Sequence, residues 1–203
     1  MEYWHELITE KSFNLLKELK RDYKFILIGG WAVFLYTKAL KSKDIDIVLD
    51  FDQLSELKKR FLVLKNERLR KYEIKKEGID IDIYLPYYSD PGLPPQEIKK
   101  FTTTKEGFIV PVPEVLLILK LNVFKNRRGS PKGEKDKIDI FSLLSLVDLN
   151  WQKFKEILQI YRKEELKEDL VNLLKSTRQL KAIGLSSHKM ARLKKRILAE
   201  LES

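Results

Sequence analysis

The chain contains no cysteine, which excludes a disulfide framework, a thiol nucleophile and a Cys-built zinc site. Long apolar runs are missing too. None approaches the roughly 20 residues of a membrane span, and the start, MEYWHELITEKS, lacks the basic opening and apolar centre of a signal peptide. A cytoplasmic protein without membrane contact is the expectation. Neither GxxxxGK[ST] nor G-x-G-x-x-G occurs, so the two common glycine-loop routes to a nucleotide are closed. There is no internal repeat and no long linker. His5 stands alone on a predicted helix and reads as a surface or capping residue.

What the chain has is charge. Of its 203 residues, 34% are charged and 43% hydrophobic, a soluble, globular balance with length enough for one large domain or two modest ones. Lys and Arg number 40 against 30 Asp and Glu, giving a formal net charge of +10 and a pI near 9.5. Such a surface fits a polyanion, with RNA or a nucleotide first. A lysine-rich, heat-adapted proteome produces the same excess.

The chain is organised around residues 25–52. Phe25-Ile26-Leu27-Ile28 is too short for a helix and β-branched enough for a buried strand. Gly29-Gly30 ends it, helix-compatible spacing follows from Ala32 to Leu40, and a second strand is expected to carry Asp44 and Asp46 between Ile45, Ile47 and Val48. Side chains alternate along a strand, so the two aspartates share one face and the isoleucines the other. Carboxylates aimed into one space repel unless a positive charge lies between them, and a divalent cation is the natural one. Ile79-Asp80-Ile81-Asp82-Ile83-Tyr84 repeats the alternation. Aspartate is disfavoured in strand interiors, so two such strands ask for a reason.

Around this unit the spacing predicts an amphipathic helix over 3–20, a helix over 53–61 capped by Asp52, and strands over 68–76 and 78–85 joined near Glu77-Gly78. An irregular crossing over 86–97 and a hairpin over 101–111 come next. From Pro113 the texture is helical: 114–125, 136–146, 151–161, 164–178 and 187–201, with residues 126–135 as a polar loop between the first two. Trp31 reads as core. The basic last helix has an apolar stripe and reads as packed on its neighbours.

The order strand, Gly-Gly, helix, Asp-Ile-Asp, later acidic strand resembles the nucleotidyltransferase superfamily related to DNA polymerase beta. Its signature is an apolar residue, Gly, Gly or Ser, a spacer, then Asp-apolar-Asp. Here Ile28-Gly29-Gly30 and Asp44-Ile45-Asp46 fit, with 31–43 as the spacer. Pro113–Leu121 is similar to the helix that follows the catalytic sheet in AbiEii-type toxin nucleotidyltransferases. Lys135-Asp136-Lys137-Ile138-Asp139-Ile140 is similar to their Lys-Asp-x-x-Asp-apolar element. The match covers residues 22–146.

The resemblance implies an α+β fold: a small mixed β-sheet flanked by helices forms a catalytic core over 1–112, followed by a helical C-terminal region over 113–203. It implies transfer of an NMP from an NTP to a hydroxyl, with Mg²⁺, or Mn²⁺ in its place, as cofactor. Asp44 and Asp46 would form the metal platform, and Asp82 the third metal-binding and catalytic carboxylate, with Asp80 the competitor for that role. Gly29 and Gly30 would let backbone amides approach the triphosphate; many members have serine at the second position, and Gly30 removes that hydroxyl. Lys120, Arg127, Arg128 and Lys135, together with Asp136 of the Lys-Asp-x-x-Asp element, would form the nucleotide-binding set for the triphosphate or the polyanion, with Asp136 and Asp139 alternatively fixing those cations by pairing. An RNA acceptor such as a tRNA end, a toxin or defence setting and an antitoxin protein partner complete what the resemblance implies.

Other readings stay open. Transfer to a protein side chain or a small molecule uses the same chemistry, and a non-catalytic RNA- or partner-binding module uses the same fold. The enzymatic reading requires Asp44, Asp46 and Asp82 to converge within metal-bridging reach; carboxylates that diverge or salt-bridge to lysines are expected to defeat it and leave the module.

Overall fold

The structure, a computed structural model, describes residues 2–146 and 148–202. The chain forms two compact units, Met1–Val112 and Pro113–Ser203. The first unit runs α1 (Glu2–Asp22), β1 (Ile26–Ile28), α2 (Gly29–Thr37), β2 (Ile45–Val48), α3 (Phe51–Arg60), β3 (Leu64–Asn66), β4 (Lys71–Lys76), β5 (Ile79–Tyr84), α4 (Pro95–Ile98), β6 (Thr102–Lys105) and β7 (Phe108–Pro111). Five strands make one mixed sheet in the order β1-β2-β5-β4-β3, and β6 and β7 make a separate hairpin. β2 and β5 run parallel; the other neighbours are antiparallel.

Isoleucine alternation builds this sheet. Ile45 and Ile47 of β2 and Ile79, Ile81 and Ile83 of β5 are all at most 2% exposed, as is Ile74 of β4. Burying each contributes about 1.5–3 kcal/mol, and because the side-chain period is two, the same burial turns Asp46, Asp80, Asp82 and Tyr84 to the opposite face. Trp31 fastens α2 to α1: it is 1% exposed, its Nε1 donates to Ser12 Oγ at 2.9 Å, and its ring meets those of Phe13 and Phe34.

The second unit is helical: α5 (Pro113–Arg127), α6 (Pro131–Leu144), α7 (Trp151–Ile160), α8 (Glu165–Ser176) and α9 (Ser187–Glu202). α5 is apolar almost all round and packs on α6, α7 and α8. Its buried Glu114 accepts from Asn150 N at 2.7 Å, capturing the start of α7. Arg196 of α9 donates to Leu144 O at 2.7 Å, closing the end of α6, and Met190, Leu193, Ile197 and Leu201 are buried, as the apolar stripe predicts. Among the described residues no helix is long and apolar enough to cross a membrane.

Four local expectations are corrected. Asp44 precedes β2 and does not lie on it, because Ser42 Oγ donates to Asp44 O at 2.9 Å and the ladder with β5 opens at Ile45. A short edge strand, β3, adds to the sheet ahead of β4. α3 starts behind Asp50, whose carboxylate makes no cap but pairs with Lys99; Asp52 sits in the first turn. The polar loop of 126–135 is mostly helix. α5 runs to Arg127, whose carbonyl accepts from Ser130 N and Oγ at 3.1 and 2.7 Å. Ser130 then caps α6 through Gly133 N at 3.0 Å. A Cβ on Gly133 would lie 2.1 Å from Arg127 O, so this turn requires glycine.

Candidate active site

The site begins where β1 becomes α2. Gly29 has a φ of +67°, a conformation that costs an L side chain roughly 1–2 kcal/mol. A Cβ there would lie 2.1 Å from Asp46 Oδ2. The missing side chain is therefore where the Asp46 carboxylate sits, against the first turn of α2, whose amide end favours negative charge. The strand pairing explains the approach, since Ile28 and Asp46 are register partners.

Asp46 is also the register partner of Asp82 on β5, and Asp82 that of Glu73 on β4. Three carboxylate residues thus stand side by side on one face. Lys71, two residues before Glu73 on that face, reaches both Asp82 (2.6 Å) and Glu73 (3.1 Å). Burial pushes the Asp82 carboxyl above its usual range; Lys71 opposes this, while Glu73 and Asp44 add to it. Burial would by itself lower the Lys71 ammonium, but its bonds to Asp82 and Glu73 win and raise it. Glu73 is held low: burial works against this, and Asn66 and Lys71 outweigh it. Tyr84 Oη stands 3.5 Å from Asp46 Oδ1.

Asp80 lies one pleat earlier. Its register partner is Lys75 on β4, and β2 begins too late to offer it one. The structure thus sets Asp82 beside Asp46, and Asp44 close enough for its charge to raise Asp82. Among the described residues no three Asp, Glu, His or Cys side chains are grouped so as to hold a metal ion. In donor chemistry Asp44 and Asp46 fit a hard cation such as Mg²⁺, or Mn²⁺, which accepts one or two carboxylates with phosphate and water completing the shell. Asp82 has its positive partner in Lys71.

The basic candidates lie on the second unit. Lys120, on α5, is wedged between two α6 carboxylates, Asp136 Oδ1 at 3.0 Å and Asp139 Oδ2 at 2.6 Å. Both aspartates are 4% exposed. Arg127 Nη1 approaches Asp136 Oδ2 at 3.6 Å. Arg128 pairs with Asp169 of α8. Lys135 is exposed on α6. Burial raises the Asp139 carboxyl despite Lys120. Of the two roles open to Asp136 and Asp139, the contacts display the pairing one.

Sequence spacing did not reveal Lys71, Glu73 or Tyr84. The only local signal was the alternation of 71–76, where Lys71, Glu73 and Lys75 share a face; their position beside Asp82 depends on strand register.

No protein-family model and no curated protein matches the sequence. Solved structures match it in fold. A provisionally assigned nucleotidyltransferase from H. pylori is 16% identical with a TM-score of 0.53, covering 97% of this chain and 94% of its own. JHP933 from Helicobacter pylori gives the same identity and TM-score over 98% and 91%. ANT(2″)-Ia, solved with adenylyl-2″-tobramycin, is 14% identical with a TM-score of 0.52, covering 79% of this chain and 99% of its own. The chain is thus an α+β protein with a nucleotidyltransferase-like fold.

Proposed function

We propose that the protein is a metal-dependent nucleotidyltransferase that moves an NMP from an NTP to a hydroxyl of RNA. The observation that carries this reading is the alignment of Asp46 with Asp82 on adjacent parallel strands, with the Asp46 carboxylate seated against Gly29 at the start of α2. Asp44 and Asp46 would hold Mg²⁺ or Mn²⁺, which when bound neutralises triphosphate charge and the charge that develops on the entering and leaving oxygens. Asp82 aligns the acceptor hydroxyl and takes its proton; a carboxyl raised by burial is better suited to that than an ordinary one. The hydroxyl oxygen bonds to the α-phosphorus, the bond from that phosphorus to the bridging oxygen breaks, and pyrophosphate leaves with the electron pair. Amides around Gly29 and Gly30 face the triphosphate. Lys120 serves chiefly to tie α5 to α6, while Arg127, Arg128 and Lys135, on the surface, meet the polyanion.

The net charge of +10 supports RNA over a protein or small-molecule acceptor. The Lys-Asp-x-x-Asp element supports a tRNA-like acceptor and a cytoplasmic toxin or defence role with an antitoxin partner, by analogy alone. One observation favours a second reading. The Lys71 ammonium on Asp82 is what a non-catalytic binding module would use to silence an acidic strand.

Incorporation separates the two. The protein is incubated with Mg²⁺, each radiolabelled NTP and total RNA, beside the Asp44→Ala/Asp46→Ala variant. Label in RNA that disappears in the variant is expected. Label in protein redirects the reading to protein modification, and no label from any NTP with RNA still bound leaves the module.

A further inference from the structure

One cluster lies outside the carboxylate face. Tyr72 is one residue after Lys71 on β4 and so points to the reverse of the sheet, where its ring meets that of Tyr88 at 5.7 Å. Three cations from three elements converge on this pair. Lys58 Nζ, at the end of α3, is 5.3 Å from the Tyr72 centroid. Lys65 Nζ of β3 and the Arg70 guanidinium of the β3–β4 turn are 5.4 and 5.8 Å from that of Tyr88. All three cationic residues are exposed, and Glu67, paired with Lys65 at 3.0 Å, is the carboxylate the structure sets among them. Gathering three like charges costs the folded chain free energy that an anionic ligand returns.

Tyr87 adjoins this cluster in the chain and is 82% exposed. It has a φ of +60°, rare for a bulky residue. The loop holds it there: Tyr87 N donates to Gln96 Oε1 at 3.0 Å, and Ser89 Oγ donates to Arg70 O at 2.6 Å, tying the loop to the β3–β4 turn. An exposed aromatic ring one residue along the chain from Tyr88, on whose ring Lys65 and Arg70 converge, offers the two things single-stranded nucleic acid takes, a stacking platform and phosphate contacts.

We infer that Tyr87, with Lys58, Lys65 and Arg70, forms a binding surface for single-stranded RNA at the β3 edge of the sheet. The surface deepens the transferase reading by locating the acceptor strand, and in that respect rests on it. The RNA backbone lies along the cations and one base stacks on Tyr87.

The test is fluorescence anisotropy with a fluorescein-labelled 12-mer of oligouridylate RNA, read across a salt series. Tyr87→Ala is expected to weaken binding about tenfold and Tyr87→Phe to leave it intact, since a base stacked on a ring is worth that order. The variant Lys58→Gln/Lys65→Gln/Arg70→Gln is expected to lower the slope of log affinity against log salt by about 2. Circular dichroism checks that each variant folds. Asp44→Ala/Asp46→Ala is expected to bind as the wild type does, and a wild-type protein that binds the 12-mer but incorporates no label from any NTP sinks the transferase reading alone. Wild-type binding by both Tyr87→Ala and the triple variant overturns the surface. So does stronger capture of labelled poly-glutamate than of the oligonucleotide, which would mark a site for an acidic protein.

Discussion

Gly29 shows how much of the site hangs on one absent side chain. Its positive φ and the 2.1 Å approach of Asp46 to the place of a Cβ are separate demands, and alanine fails both. Gly29→Ala is expected to cost about 2–5 kcal/mol, from backbone strain and overpacking together, measured by urea denaturation. A cost below about 0.5 kcal/mol would mean that Asp46 swings away freely. Lys71 is the complementary case, a charge whose loss leaves two carboxylates facing each other. At 12% side-chain exposure it is screened less than a surface lysine, and Lys71→Met is expected to destabilise by about 1–3 kcal/mol. An unchanged unfolding midpoint would show the pair to be solvated.

Among elements, the α5–α6 pair is held by an ion cluster whose pH response has a definite sign. The folded protein raises the Asp139 carboxyl, through burial first. Its contribution to stability is therefore fully present below the unfolded value near 3.8 and is lost as pH rises through the higher folded value. Asn carries no such dependence. The unfolding free energy of Asp139→Asn relative to wild type is expected to move in the variant's favour from pH 4 to pH 7, by about 1.4 kcal/mol for each tenfold change in proton affinity. A difference moving the other way would mean that Lys120 outweighs burial. The element scale also explains which sequence expectations failed. The break expected at 126–135 followed from composition, since Asn126, Arg127, Arg128, Gly129 and Ser130 look like a loop. A cap by Ser130 and the backbone approach allowed by Gly133 compress it into a turn. β3 was missed because three exposed or half-exposed residues carry no alternation.

At the scale of the whole molecule, the excess of Lys and Arg over Asp and Glu falls mostly within Pro113–Ser203, while the aromatic platform lies on the first unit. Long-range attraction and local reading are therefore separable. The wild-type affinity for the 12-mer is expected to fall about a hundredfold or more between 50 and 200 mM salt, and the Lys58/Lys65/Arg70 triple variant to keep part of that dependence. A flat salt response would remove the electrostatic argument for RNA altogether.

The sequence by itself determined what local periodicity can encode. The alternation Asp-Ile-Asp-Ile sorted isoleucine from aspartate in two segments, the Gly-Gly step marked the strand-to-helix change, and the helical spacing of 113–201 marked a second region. It also supplied the charge. Only the tertiary structure decided which residues meet. Asp46 stands beside Asp82 because β2 and β5 pair in parallel at one register. Lys71 reaches Asp82 because β4 returns antiparallel beside β5. Asp46 fits Gly29 because β1 pairs with β2. Each of these is a contact between separate strands, two of them far apart in the chain and the third, β4 with β5, across a tight turn. Strand register is set by how whole faces pack, so the spacing of residues within one segment carries no record of it.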